Sequence, residues 1–203
     1  MNGRTGGKTN IGRDHNQNVR FHTKNAIELA EYLLPHYSVL GGEINILDAC
    51  AGDGVLGNAI NIELKKHIGI DANVSFIDEL YGHDVFDENG EYDLIICNPP
   101  WAIKQSLPIY NHLLSLLSQD GILIFIINNV FVYQGSDRAE SLKYQKYYFL
   151  PRWTFKPAGR PLLDCGVMVY HENGQVPEDA AQLRPYIPLT RVNERIFLNE
   201  SIR

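Results

Sequence analysis

Hydrophobic and polar positions change period several times along this chain, and each change predicts an element. Ile27, Ala30, Leu33 and Leu34 recur at helical spacing, which predicts a helix over residues 25–37 with Thr23 as its N-cap. The apolar run Ile44 to Leu47 predicts a strand, followed by a loop of small residues and a helix through Ala59, Ile60 and Leu64. Lys66 to Asp71 reads as a second strand. Ala72 and Asn73 then begin a brief helix through Phe76, Ile77 and Leu80, and Gly82 to Phe86 reads as a short third strand. Leu94 to Cys97 suits a strand buried on both faces. Asn98-Pro99-Pro100 ends it, because Pro99 pushes Asn98 out of helical geometry and neither proline can donate to a sheet ladder. Leu107, Leu113, Leu114, Leu116 and Leu117 mark an amphipathic helix that Gly121 is expected to terminate. Ile122 to Ile127 predicts a central strand, and Gly166 to Tyr170 the last one.

Composition sets bounds on this pattern. The 203 residues, 44% hydrophobic and 21% charged, suffice for one domain with a sizeable core. Residues 1–20 read as a mobile polar tail, 21–171 as the folded domain, and 172–203, with Pro177, Pro185 and Pro188, as an irregular extension without a second core. No apolar run approaches a membrane span and the polar N-terminus is no signal peptide, so no membrane partner is expected. Cys50, Cys97 and Cys165 are well separated and odd in number. They read as thiols of a reducing, cytoplasmic compartment, and no metal-ligand set is expected.

Net charge is −6, which argues against a protein that simply coats nucleic acid. Its distribution says more. Residues 1–24 hold five basic residues against one acid, net +4. Residues 138–160 hold Arg138, Lys143, Lys146, Arg152, Lys156 and Arg160 against Glu140, net +5, which leaves −15 for the remainder. The second basic segment also carries Tyr144, Tyr147, Tyr148, Phe149, Trp153 and Phe155. Cations interleaved with rings suit a nucleic-acid groove.

Two stretches carry chemistry. At Asn98-Pro99-Pro100-Trp101 the strand leaves an amide, free carbonyls and an indole at its carboxyl end, where ligands bind in open α/β sheets. A conjugated amino nitrogen is a poor nucleophile because its lone pair is delocalised. The Asn98 side-chain oxygen and the Pro99 carbonyl can each accept one of its N–H bonds, drawing it towards tetrahedral geometry and freeing that pair to attack. Trp101 offers a face on which a base can stack, worth about 1–3 kcal/mol. The second stretch, Asp48-Ala49-Cys50-Ala51-Gly52-Asp53-Gly54, follows a strand and precedes a helix. Gly52 and Gly54 let a ligand approach the backbone, and the spacing fits an S-adenosylmethionine loop better than a dinucleotide fingerprint. Asp48 suits a cofactor bearing a cationic amino acid. Asp71, ahead of Ala72 and about two dozen residues beyond Asp48, is the expected acceptor for ribose hydroxyls, and Asp84, beside Val85, the expected partner of the adenine amino group. Gly7-Lys8-Thr9 lacks the upstream glycine and strand of a phosphate loop.

Asn-Pro-Pro followed by an aromatic, in register after the glycine loop, resembles the S-adenosylmethionine-dependent adenine-N6 DNA methyltransferases of restriction-modification systems and mobile elements. The resemblance covers roughly residues 20–171. It implies a Rossmann-like α/β fold of the class I methyltransferase type, a doubly wound, mostly parallel sheet of about seven strands. It implies cofactor contacts from Phe21 and Thr23, although Lys24 stands where that family's Phe-x-Thr-Pro segment has proline. It also implies that Phe155, or next Trp153, covers the other face of a flipped base. Residues 172–203 are too few for a conventional target-recognition region, so selectivity is expected to be low or supplied by a partner, a specificity subunit or a second copy. RNA bases (adenine N6 or guanine N2) and protein glutamine remain alternative acceptors. A non-catalytic, nucleic-acid-binding subunit is the alternative of another class.

Overall fold

The computed structural model describes residues 23–78, 82–129, 131–132, 142–151, 154 and 164–189. Expectations for the tail 1–20 and for Phe21, Arg152, Trp153, Phe155, Lys156 and Arg160 lie outside these residues. The elements run α1 (Thr23–Tyr32), α2 (Leu34–Tyr37), β1 (Ile44–Ala49), α3 (Val55–His67), β2 (Ala72–Ile77), a 3-10 turn (Val85–Asp87), β3 (Tyr92–Cys97), α4 (Ile103–Leu114), β4 (Leu117–Asn128), β5 (Lys146–Leu150), β6 (Cys165–His171) and α5 (Glu178–Ala181). Among the described residues the strands form one six-stranded sheet in the order β2-β1-β3-β4-β6-β5. β2, β1, β3 and β4 are parallel, and β6 runs antiparallel between β4 and β5.

The central strands are buried on both faces, which is why they read as unbroken apolar runs rather than alternating ones. α1, α2 and α3 cover one face through Leu29, Leu33, Ile60 and Leu64, which pack on Ile46, Leu94 and Ile124. α4 covers the other through Ile109, Tyr110 and Leu113, which pack on Ile95, Leu123 and Phe125. Residues beyond β6 join the first of these cores: Ile187 and Leu189 are buried in it, and Leu183 packs against it.

Five expected elements are corrected. The helix expected over residues 25–37 breaks at Leu33, and Pro35 sits in the first turn of the short α2 that follows. Lys66 and His67 close α3 rather than open a strand, and Gly69, at φ +77°, turns the chain out of the helix. The second strand is therefore 72–77, where a brief helix was expected. The expected third strand, 82–86, is a single 3-10 turn, with the Asp84 carboxylate accepting from the Phe86 N–H at 3.0 Å. The described residues hold six strands, in keeping with the about seven expected, and β5 is one that the sequence pattern did not predict. Gly121 lies inside β4 rather than ending α4. A Cβ there would stand 2.9 Å from the Ser118 carbonyl oxygen, so the close turn of backbone needs glycine.

Candidate functional site

From β1 the chain goes to β2 on one side and then returns to β3 on the other, so β1 and β3 flank the reversal of strand order. In open α/β sheets ligands bind at that crevice, outside the carboxyl ends of the strands. Ala49 and Cys97, the last residues of β1 and β3, are register partners. The loops that follow them, starting at Cys50 and Asn98, therefore leave the sheet side by side.

The first loop turns sharply. Cys50, Gly52 and Gly54 hold positive φ angles of 59°, 60° and 71°. Gly54 serves as N-cap of α3, which directs the first backbone N–H groups of that helix towards the crevice. The loop is tied to β2 by the Ala51 N–H, which donates to the Ile77 carbonyl at 3.0 Å, and by the Gly52 N–H, which donates to the Asp78 carboxylate at 2.7 Å. Asp48 lies beneath the loop, 1% exposed, and accepts from the Gly57 N–H at 2.8 Å. Any side chain at 57 would collide with it, since a Cβ there would be 2.9 Å from the Asp48 Cβ. Burial pushes the Asp48 carboxyl up to about 8 against the pull of that hydrogen bond, and the Asp78 and Asp53 charges push the same way.

The second loop is held from both ends. Asn98 and Trp101 are half-buried and Pro99 is buried. The Trp101 indole N–H donates to the Asn98 Oδ1 at 3.3 Å, and the Trp101 carbonyl accepts from the Asn128 side chain at 3.2 Å. Cys97, directly before Asn98, is fully buried, and burial together with the Cys50 thiol beside it raises its pKa. It is a packing thiol, not a nucleophile.

The structure thus brings together Asp48, Ala49, Cys50, Gly52, Gly54, Asn98, Pro99, Pro100 and Trp101 at one edge of the sheet. Asp71 and Ala72 are not there. Because the strand starts at Ala72, Asp71 lies at its amino end, exposed, paired with the Lys65 ammonium at 2.6 Å. The acid at the carboxyl end of β2 is Asp78. Sequence reading passed over it, although the alternation Asn73, Ser75 against Val74 followed by Asp78 was the available signal. Asp84 is exposed and caps its 3-10 turn, with Val85 buried beneath. Thr23 is the first described residue of α1 and is exposed. Lys143 is exposed on the approach to β5. Lys146 turns towards the C-terminal segment, where its ammonium donates to the Ala181 carbonyl at 2.8 Å. Tyr147 donates its hydroxyl to Asn129 at the carboxyl end of β4. No helix among the described residues is long and apolar enough to cross a membrane.

No family model matches this chain, and no curated protein matches it. Solved structures do. A Listeria monocytogenes protein described as a candidate class I S-adenosylmethionine-dependent methyltransferase superposes with a TM-score of 0.63 at 12% identity, over 92% of this chain and 71% of its own. The methyltransferase subunit of a type I restriction-modification system from Streptococcus thermophilus gives 0.56 at 14% identity, over 76% of this chain and 45% of its own. The M protein of the type I restriction enzyme EcoKI gives 0.53 at 12%, over 75% and 44%. The chain thus spans less than half the length of the two restriction subunits. At these identities the likeness establishes the fold, which is the Rossmann-like α/β fold of class I methyltransferases.

Proposed function

We propose that the protein is an S-adenosylmethionine-dependent N-methyltransferase whose acceptor is the exocyclic N6 of adenine in DNA. The observation that carries this reading is the pairing of Ala49 with Cys97, which sets the Gly52/Gly54 loop against the Asn98-Pro99-Pro100-Trp101 loop at the switch point of the sheet. When bound, the cofactor supplies an electrophilic methyl group on a sulfonium. The chain's residues divide the remaining work. Gly52, with nothing within 4 Å of where a Cβ would stand, leaves backbone open to the ligand, buried Gly54 turns the chain into α3, and Asp78, held by the Gly52 N–H, takes the ribose-binding role first expected of Asp71. The Asn98 oxygen and the Pro99 carbonyl would accept the two N–H bonds of the target and free its lone pair for the methyl group, and the nitrogen, cationic once alkylated, would release its extra proton to solvent. Trp101 stacks on the base. Positioning supplies most of the acceleration.

What supports DNA over the other acceptors is that two restriction-modification methyltransferase subunits are among the structural relatives. Lys143 contributes to the approach for phosphate, together with Arg152, Lys156 and Arg160 of the same basic segment, while Phe155 or Trp153 covers the base. Sequence selectivity is then low, or comes from a specificity subunit or a second copy of the chain. Incubation with labelled cofactor and duplex DNA, single-stranded DNA, RNA or protein, followed by nucleoside and amino-acid analysis, tests the proposal. N6-methyladenine in DNA is the expected product. Label found only on RNA or glutamine reassigns the acceptor, and no cofactor binding at all makes the chain a non-catalytic subunit.

A further inference from the structure

Asn128 ends β4, 6% exposed, and both ends of its carboxamide are engaged. Its Oδ1 accepts from the Phe131 N–H at 3.0 Å and its Nδ2 donates to the Trp101 carbonyl at 3.2 Å. Phe131 is itself fixed in the core against Phe125 and Tyr110, with ring centroids 5.7 and 6.3 Å away. From Trp101 the path continues through the indole N–H to the Asn98 oxygen at 3.3 Å. A file of three hydrogen bonds therefore connects the packed core to the amide at the end of β3.

Chemistry gives this file a direction. A carboxamide can present either its oxygen or its NH2 to a neighbour, and the two choices make opposite groups of Asn98 towards an amine. An indole N–H is only a donor, so it can face only the oxygen end. The same logic fixes Asn128, whose reversal would set NH2 against an N–H and oxygen against a carbonyl. We propose that Asn128 is a positioning residue: by holding the Trp101 carbonyl it keeps the indole donor on Asn98 and so fixes the Asn98 oxygen as the acceptor for the target nitrogen. This rests on the methyltransferase reading above. An amide oxygen carries two lone pairs, so an indole donor and a target N–H are compatible on the same oxygen.

Asn128→Asp keeps the shape and the acceptor for Phe131 but, once ionised, cannot donate to the Trp101 carbonyl, so its exchange and kinetics are read at a pH above the titration of that buried carboxyl. Trp101→Phe keeps a stacking face and removes the indole donor. The chain has two tryptophans, so the Trp101 indole N–H signal is assigned by one substitution. In the full-length protein without substrate, Asn128→Asp should speed solvent exchange of that N–H about ten-fold or more. Both variants should lower kcat by about ten- to a hundred-fold while KM for cofactor and acceptor stays within about two-fold, the mark of an interaction that matters in the transition state. Where Asn128→Asp fails to fold, Trp101→Phe decides alone. Parent-like indole exchange in a folded Asn128→Asp, or parent-like kcat in either variant, overturns the inference. If the parent transfers no methyl group to any acceptor yet its indole responds to Asn128→Asp, the proposed reaction falls and the hold on Asn98 stands.

Discussion

Asn98 and Asp78 take different parts in the proposed reaction, so their loss should separate the two steps. Asn98 polarises the acceptor. Asn98→Ala should lower methyl transfer by about a hundred-fold or more, as loss of a charge-stabilising group does, while cofactor affinity measured by calorimetry changes only a few-fold. Full transfer by Asn98→Ala would rule out the mechanism. Asp78 acts on the cofactor side, where it also holds the Gly52 N–H at 2.7 Å. Asp78→Ala should weaken cofactor binding by about 1–3 kcal/mol, the cost of hydrogen-bonding groups left unpaired. Asp71→Ala is the matched control. Its exposed pair with Lys65 is worth at most about 1 kcal/mol to stability, and its removal should leave the cofactor isotherm unchanged. The opposite ranking of the two acids would return the ribose to Asp71.

At the scale of elements, the two edges of the sheet are treated differently. β2 has Asn73 and Ser75 exposed, polar groups that discourage strand pairing. β5 is covered. The Phe149 N–H donates to the Pro185 carbonyl at 2.7 Å and the Ile187 N–H donates to the Phe149 carbonyl at 3.1 Å, so the chain after α5 lies along the strand's outer edge. Ile187 is fully buried beneath it. Ile187→Ala should therefore cost about 2–5 kcal/mol in denaturant unfolding, as for a core position. A change under about 0.5 kcal/mol, the usual range for surface sites, would mean that this segment does not pack on the core.

Over the whole molecule, three buried titratable groups oppose one another. His36 and His171 lie 2.9 Å apart, nitrogen to nitrogen, and His36 also bonds the Tyr148 hydroxyl at 2.7 Å. Burial, aided for His36 by its neighbour His171 and by Lys146, lowers the pair to about 3 and about 4. The unfolded chain binds their protons near 6.5, so stability falls as pH drops from there towards 4. Asp48 works the other way. Its folded value of about 8 stands above its unfolded one, so the native state holds the extra proton and stability falls as pH rises from about 4 to about 8. Between pH 4 and 6.5 two histidines outweigh one aspartate, and above 6.5 only Asp48 remains. Melting temperature should peak near pH 6.5. Asp48→Asn should flatten the alkaline limb up to pH 8, and persistence of that limb in the variant would locate its source elsewhere.

The sequence by itself determined what is local. Fully apolar runs predict central strands, two prolines stop β3 after Cys97, and glycines at 52 and 54 mark a loop that must turn tightly; none of these depends on a distant residue. Where short-range signals compete, they misled. Lys66 to Asp71 read as a strand and the stretch from Ala72 as a brief helix from their own residues, and both were overturned by the parallel ladder with β1, in which Ile44 pairs with Ala72 and Ala49 with Ile77. That six-residue shift moved the acid at the crevice from Asp71 to Asp78. The contacts of Asn128 with Trp101 and of Ile187 with Phe149 were likewise invisible in sequence, because each joins elements far apart along the chain. Tertiary structure decided them through strand register and burial, which depend on how all the elements pack together and not on any one stretch.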